Sequence, residues 1–239
     1  MPGRGLTPVP FSALTVGVSM QIDLNFWAIL SQWPFLLKGV AWTIGLTAIA
    51  MFIGLILGIA CAWARASGPV WLRWLVGSYV EIIRNTPFIV QLFFIFFGLP
   101  SLGVRLSPEV ASIIAMVLNL GAYATEIIRA GIENTPRGQI EAGHSLALSR
   151  VQVFVYVVLP PALKRVWPAL VSQCIIVMLG SAVCGQIATE ELSYAANVIQ
   201  ARNFRTFEAY IVATLLYLLL AGGLRRVLNW AGPKFIFGS

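Results

Sequence analysis

Long apolar runs separated by short polar segments dominate this sequence. Five of the runs are close to the roughly 20 residues that an α-helix needs to cross a bilayer. They lie at about 36–63, 75–97, 108–128, 166–187 and 207–224. Polar and apolar residues show no sustained alternation of the kind expected in strands of a membrane β-barrel. The pattern therefore predicts five transmembrane helices.

The composition supports this interpretation. Hydrophobic residues make up 59% of the chain and charged residues 10%, whereas soluble domains carry about 25% charged residues. The expected fold class is an all-α integral membrane protein in contact with lipid. The net charge of +7 does not indicate nucleic acid, because basic residues of membrane proteins collect in cytoplasmic loops. The three cysteines lie in apolar runs without metal-ligand spacing, so free thiols and no metal site are expected.

Five spans place the two ends of the chain on opposite sides of the membrane, and Lys and Arg residues indicate which side is which. One side holds Arg65, Arg73, Arg137, Arg150, Lys164, Arg165, Arg225, Arg226 and Lys234. The other side holds Arg4, Lys38, Arg105, Arg202 and Arg205. The richer side is expected to be cytoplasmic. This orientation puts the N-terminus outside and the C-terminus inside.

The segments flanking the spans complete the predicted domain organisation. Residues 1–34 are expected to form an uncleaved periplasmic leader that ends in an aromatic interfacial helix at about 23–33. A signal peptide is the rival interpretation, but Arg4 is the only early charge and the early apolar run is short. The transmembrane domain is expected at 35–230 and a cytoplasmic tail at 231–239.

The stretch 137–163 differs from the spans on either side, because it begins with polar and small residues and ends in a proline pair. It predicts a short helix, a turn and a second helix broken at Leu159-Pro160-Pro161. Proline lacks an N–H group and disfavours helix in the preceding residue. On the cytoplasmic side, such a short helix suits contact with a partner in the aqueous phase.

Two acidic–basic pairs lie within the predicted spans. Glu81 and Arg84 are three residues apart and share a helix face, and Glu126 and Arg129 repeat this spacing. Charges at membrane depth are costly unless they face protein or water. The pairs are expected either to orient helices near their cytoplasmic ends or to act in gating and contact with a charged substrate. Pro87 is expected to kink the second span one turn later.

Several ordered motifs resemble those of permease subunits of bacterial ABC importers. GQIEAG at 138–143, followed by Leu146 and by LPPAL at 159–163, resembles the cytoplasmic EAA loop of that family. Further matches resemble its polar amino acid branch, the histidine, glutamine and arginine type permeases. They are YVEIIRNTP at 79–87, VQL at 90–92, FGLP at 97–100, GAY at 121–123 and EIIR at 126–129. The resemblance covers about residues 44–226.

The resemblance implies a type I ABC importer permease with five transmembrane helices and a cytoplasmic coupling helix, in the bacterial inner (plasma) membrane. It implies a second permease subunit, identical or similar, and two ATP-binding subunits that hold ATP and Mg. It also implies a periplasmic or surface-tethered substrate-binding protein. This chain would itself be neither catalytic nor a cofactor binder. The implied mechanism is alternating access, driven by closure of the ATP-binding subunits.

The coupling helix would contact the ATPase through Glu141, Ala142, Gly143, His144, Leu146 and Ala147. Glu141 could pair with a basic residue of the partner, and the small residues would permit close approach. Three positions depart from the usual family pattern: Gly143 stands for Ala, Ala147 for Gly and Pro161 for Gln. If position 147 requires a positive φ, Ala147 would strain the turn by about 1 kcal/mol.

Polar side chains within the spans are candidates for a substrate path that would bind the α-amino and α-carboxylate groups of an amino acid. The candidates are Gln91, Asn119, Glu126, Gln173, Ser181 and Gln186. Gln91 and Asn119 are the first choices. Hydrogen bonds between helices explain the uncharged residues of this set equally well.

Three other classes of function stay open at this point. The sequence has no phosphate loop of the form GxxxxGK[ST], so ATP hydrolysis would lie on a partner. An ion-gradient-driven secondary amino acid transporter is the main alternative, followed by an intramembrane enzyme and a membrane scaffold. The small number of acidic residues, nine, argues slightly against a path for basic amino acids alone.

Overall fold

A computed structural model describes residues 24–236, so the first 23 residues of the predicted leader lie outside the described residues. The described residues form a helical bundle. Its α-helices are α1 Trp27–Leu30, α2 Trp33–Ser67, α3 Val70–Arg84, α4 Phe88–Phe93, α5 Pro108–Glu133, α6 Arg137–Ser145, α7 Arg150–Gln152, α8 Leu159–Gly180, α9 Leu192–Asn203 and α10 Thr206–Ala231. The all-α membrane fold class is confirmed.

The core of the bundle is the pair of long helices α2 and α5. Gly58 of α2 lies against α5 so closely that an added Cβ would come 2.6 Å from the Cβ of Ala124. Glycine in a membrane helix permits such close backbone approach. Gly45, on the same helix, has open space around it. The glycines of α2 therefore permit close helix packing along only part of its length.

The described helices include four that are long and apolar enough to span a membrane, and up to five if one bent pair counts as a single span. That pair is Val70–Arg84 with Phe88–Leu102, and its two halves are bent by 110°. A simple kink at Pro87 was expected, and that expectation is wrong. Pro87 lies in a full break between α3 and α4, because it cannot donate a hydrogen bond and restricts the residue before it.

The fourth span begins earlier than the sequence predicted. A helix runs without a break from Arg150 to Ile187, so the expected break at Leu159-Pro160-Pro161 is wrong. A π-helical turn, Val153–Val158, precedes the proline pair and puts both prolines in the first turn of α8. A missing N–H group and a fixed φ are tolerated in the first turn of an α-helix.

The polar segment at 189–205, between the fourth and fifth apolar runs, contains the helix α9. Glu191 caps it by accepting hydrogen bonds from the N–H groups of Ser193 and Tyr194. Leu192 and Ile199 are fully buried in a cluster with Leu36 of α2. The helix was not predicted from the sequence because it is short and lies among many polar residues. Its apolar face is buried only by packing against α2.

Candidate functional site

The predicted coupling helix is α6, which begins at Arg137 and ends at Ser145. Glu141, Ala142 and His144 are exposed, and Leu146, just past its end, is 77% exposed. Gly143 is buried on the opposite side, where an added Cβ would come 3.1 Å from a methyl group of Val153. The usual alanine at position 143 would crowd Val153. Gly143, which replaces that alanine, therefore lies where the buried face of α6 makes a close contact with the π-helical turn.

The turn after α6 has left-handed backbone geometry at Ala147, with φ of 56°. The N–H of Ala147 donates to the carbonyl of His144 at 2.9 Å, and the N–H of Leu148 donates to that of Gly143 at 3.3 Å. This closure of a helix end usually employs glycine. Position 147 therefore has the positive φ on which the expected strain depends.

An apolar cluster connects α6 to the membrane helices. Val153, Phe154 and Val158 of the π-helical turn are buried, and Ile140 of α6 packs against them. Trp63, near the end of α2, packs on Phe154 with 6.2 Å between ring centroids. A displacement of α6 would therefore be passed directly to α2 and to the helix that continues as α8.

Glu126 is the centre of a charged cluster between α2, α3 and α5. The Arg65 guanidinium donates to one oxygen of its carboxylate. The Arg129 guanidinium donates to the other, with Nη2 at 2.9 Å, so the expected Glu126–Arg129 pair forms. Arg129 also pairs with the exposed Glu133. Arg84 approaches the second oxygen at 3.9 Å.

The expected pair between Glu81 and Arg84 does not form. Arg84 ends α3 and extends across to α5, where its guanidinium lies 5.5 Å from the ring centroid of Tyr123 and near Glu126. Glu81 has no ion pair among the described residues. The tertiary attraction of Glu126, which lies on another helix, outweighs the local three-residue spacing on the exposed surface of α3.

Gln91 and Asn119, the first choices for the substrate path, are hydrogen-bonded to each other in a structural arrangement. The Asn119 amide donates to the Gln91 side-chain oxygen at 3.1 Å. The Gln91 amide donates to the carbonyls of Ile83 at 2.7 Å and Thr86 at 3.0 Å. It thereby satisfies backbone acceptors left free by the break before α4. Helix bonding accounts for this pair without a substrate.

The remaining path candidates do not join this pair. Ser181 is fully buried and donates to the carbonyl of Met178 at 2.6 Å. Gln173 is buried and has no hydrogen-bond partner among the described residues, and Gln186 is exposed. Their sequence positions were consistent with a common path, but the helices direct them into different surroundings.

A buried polar cluster at the other end of the bundle was missed from the sequence. Glu191 is fully buried and accepts a hydrogen bond from the Tyr217 hydroxyl. The N–H of Leu192 donates to the Thr43 hydroxyl at 3.2 Å. Burial raises the pKa of the Glu191 carboxyl above its ordinary range, although its hydrogen bonds oppose that shift. The N-cap position of Glu191 before an apolar residue was the available sequence signal.

Comparisons with known proteins identify the family. Residues 54–235 match the family described as "Binding-protein-dependent transport system inner membrane component". The chain belongs to this family of membrane permeases, so it is the membrane component and not the ATP-hydrolysing subunit of a transport system. The families of secondary transporters and intramembrane enzymes are thereby set aside.

Two relatives and one solved structure illustrate the match. The chain is 39% identical to the Bacillus subtilis L-cystine transport system permease protein TcyB over 87% of this chain and 88% of that protein. It is 34% identical to the Escherichia coli glutamine transport system permease protein GlnP over 84% and 92%. A crystal structure of an amino acid ABC transporter with histidines superposes with a TM-score of 0.79 and 31% identity, covering 90% of this chain and all of that one.

The match to a second solved structure supports the fold alone. An inward-facing structure of the MetNI methionine ABC transporter matches with a TM-score of 0.66 and 21% identity, over 86% of this chain. The expected class, an ABC importer permease with several membrane-spanning helices, is confirmed. Membership of a binding-protein-dependent family also implies ATP-binding and substrate-binding partners.

Proposed function

We propose that this chain forms, with an identical or similar permease subunit, the translocation path of an ATP-driven importer for a polar amino acid. Two ATP-binding subunits, holding ATP and Mg, would drive it, and a periplasmic or surface-tethered binding protein would deliver the substrate. The cystine and glutamine permeases among its relatives support an amino acid as cargo. The observation that carries the proposal is a short exposed helix whose buried face packs on the π-helical turn, in one apolar cluster with Trp63 of α2.

Force would enter through α6 and Leu146. Glu141 offers an exposed charge to a basic residue of the ATPase, and Leu146 offers an exposed apolar side chain. The buried face of α6 is held by the π-helical turn and by Trp63. Closure of the ATP-binding subunits would therefore rock α2 and α8 and alternate the access of the path.

The orientation proposed is N-terminus outside and C-terminus cytoplasmic. The structure brings the start of α2 beside α9, where Gly39 contacts Leu192 and Ala195. It brings the end of α2 beside α6. The end of the bundle that holds α6 carries most of the basic residues of the flanking segments. Basic residues collect in cytoplasmic loops, so we assign this end to the cytoplasmic side.

Transport in vesicles tests the proposal. The complete importer, with its binding protein outside and ATP inside, should accumulate at least one of L-cystine, L-glutamine and L-arginine, and an uncoupler should not prevent uptake. Uptake that an ion gradient drives without ATP would overturn the proposal, as would the failure of all amino acids to accumulate.

Replacement of Glu141 by Lys tests the coupling contact. We expect uptake and substrate-stimulated ATP hydrolysis to fall about tenfold or more, because a like charge would face the partner's basic residue. Glu109 lies in the first turn of α5, at the end of that helix far from α6. Glu109→Lys is therefore the matched charge reversal and should retain uptake. Equal activity of the Glu141 variant and the wild type would exclude Glu141 from the contact.

A further inference from the structure

An apolar groove lies between α2 and α10, and the arrangement described so far gives it no role. Its volume is about 410 Å³. Ile44 and Met51 of α2 line one side of it, and Leu219 and Leu224 of α10 line the other. The buried Met178 of α8 also contributes to the lining. These helices are long and apolar enough to span a membrane, so the groove lies at membrane depth.

The lining of the groove suits a hydrocarbon chain. Thr47 is a polar residue of the lining, but its hydroxyl donates to the carbonyl of Thr43 at 2.7 Å. A Cβ added at Gly223 would have no described atom within 4 Å, and Leu219 is 71% exposed. An apolar surface of this kind gains van der Waals contacts from an alkyl chain and has little to offer a polar ligand.

The length of the groove matches one half of a bilayer. Its lining on α10 begins at Leu219 and ends at Leu228, nine residues later. At a rise of about 1.5 Å per residue, this stretch of helix is about 14 Å long. The hydrocarbon core of a bilayer is about 30 Å thick, so one leaflet contributes about 15 Å. The groove therefore has the length of an acyl chain from a single leaflet.

The packing of the helices indicates which leaflet this is. Gly232, at the end of α10, lies directly against the Trp167 ring of α8. Trp167 packs in one cluster with Ala62, near the end of α2, and the adjacent Trp63 belongs to the cluster beneath α6. The end of α10 is therefore at the α6 end of the bundle. The proposed orientation puts this end, and the second half of α10 with it, in the cytoplasmic leaflet.

Arg226 supplies a positive charge at the edge of the groove. It lies three residues after Gly223, and residues three apart on a helix are neighbours. Arg226 is exposed and has no ion pair among the described residues. Trp230, one turn further on, is 58% exposed, and exposed tryptophans are typical of the membrane–water interface. The apolar groove thus has a cation beside it at the depth of lipid headgroups.

We infer that this groove binds an anionic phospholipid of the cytoplasmic leaflet, with an acyl chain between α2 and α10 and the phosphate on Arg226. Arginine and phosphate form strong, frequently bidentate pairs. Anionic lipids of the cytoplasmic leaflet attract basic residues near the membrane surface. The inference goes beyond the proposed function, because it assigns a lipid site that is independent of the cargo. The bound chain would complete the packing between α2 and α10.

Photo-crosslinking in vesicles tests the inference. The complete importer is reconstituted in phosphatidylcholine with a small fraction of phosphatidylglycerol that carries a diazirine on its acyl chain. A parallel sample holds the same fraction of phosphatidylethanolamine with the same diazirine chain. After illumination and proteolysis, mass spectrometry should find label concentrated in peptides covering 44–51 and 219–228. Phosphatidylglycerol should label them about fivefold more than phosphatidylethanolamine, as expected for one basic residue near an anionic headgroup.

Two variants act on different parts of the lipid. Arg226→Gln should remove the preference for phosphatidylglycerol. Gly223→Leu should reduce labelling by both lipids several-fold, because the new side chain would occupy the groove. Gly222→Leu is the matched control, since Gly222 also has open space around it but points about 100° away on the helix; its labelling should persist. Arg73→Gln, at the exposed start of α3, should keep the preference.

Three outcomes overturn the inference. The first is a wild-type importer without enriched label at 44–51 and 219–228, as when the second permease subunit covers the groove. The second is equal labelling of the wild type by the two lipids, or a preference that survives in Arg226→Gln. The third is undiminished labelling of Gly223→Leu. ATP-dependent uptake is measured on the same vesicles, and uptake that persists in these cases leaves the proposed function standing.

Discussion

Ala147 has a backbone conformation that is unusual for its residue type. Its φ of 56° is disfavoured for residues with a Cβ, and glycine is the usual residue there. The turn keeps this geometry because it lets Leu148 bond back to α6 while the chain reverses into α7. The conformation is therefore set by the hydrogen bonds of the turn rather than by the preference of Ala147.

Replacing Ala147 by Gly should relieve this strain. We expect the free energy of unfolding to rise by up to about 1 kcal/mol, since the gain in the folded state is partly offset by the freedom of glycine in the unfolded chain. Thermal unfolding in detergent measures the change. Ala142→Gly, in regular helix, is the control and should lose about 1 kcal/mol. A loss of stability in both variants would show that position 147 is unstrained.

Glu191 makes stability depend on pH. Its pKa in the folded protein is raised by burial, so between its ordinary value and that raised value the folded state holds a proton that the unfolded state has released. Stability from this group is complete below the unfolded pKa and is lost as pH rises through the folded pKa.

We therefore expect the melting temperature of the wild type to fall as pH rises through this interval, and Glu191→Gln to reduce the fall. Glu190→Gln, at the neighbouring half-buried position that pairs with Lys38, is the control and should leave the fall with rising pH in place. A pH profile that is identical in the wild type and the Glu191 variant would mean that this carboxyl is ionised in both folded and unfolded protein.

At the scale of elements, the contact between α2 and α5 depends on a missing side chain at Gly58. A Cβ there would come 2.6 Å from that of Ala124, a distance that forces the helices apart. Gly58→Ala should reduce the free energy of unfolding by about 1–3 kcal/mol, as expected for overpacking. Denaturation of the purified chain in detergent measures the loss.

Gly45 provides the matched control on the same helix. Open space surrounds it, so Gly45→Ala should raise helix stability by up to about 1 kcal/mol. Opposite signs for the two substitutions would establish that the interface, and not the helix propensity of alanine, governs the effect. Equal effects would mean that α2 and α5 do not approach this closely.

At the scale of the whole molecule, the order of the spans fixes which exposed residues share a side. Leu102, after α4, is 76% exposed, and Leu146, after α6, is 77% exposed. The proposed orientation puts them on opposite sides of the membrane. Cys61, Cys174 and Cys184 are buried, so they should give little background in thiol labelling.

Membrane-impermeant maleimide should therefore label Leu102→Cys in intact cells and Leu146→Cys only after the membrane is opened. The unmodified chain is the control for the native thiols. Labelling of the Leu146 variant from outside would reverse the orientation and remove α6 from contact with a cytoplasmic ATPase.

The features that could be predicted from the sequence are those encoded in neighbouring residues. The apolar runs gave the spans, since their length matches the bilayer. The polar start of 137–163 gave α6. These signals are local, because each depends on hydrophobic periodicity or on residue size within one element.

Tertiary structure alone decided how distant groups combine. Arg84 is directed to Glu126 on another helix rather than to Glu81, and Gln91 satisfies the carbonyls at the break before α4. The π-helical turn carries the helix past Pro160. Each outcome depends on partners far along the chain or on how one helix adjusts to others. The spacing of residues along the chain indicates which partners a charged or polar side chain could reach. The packing of the helices determines which of these partners it contacts.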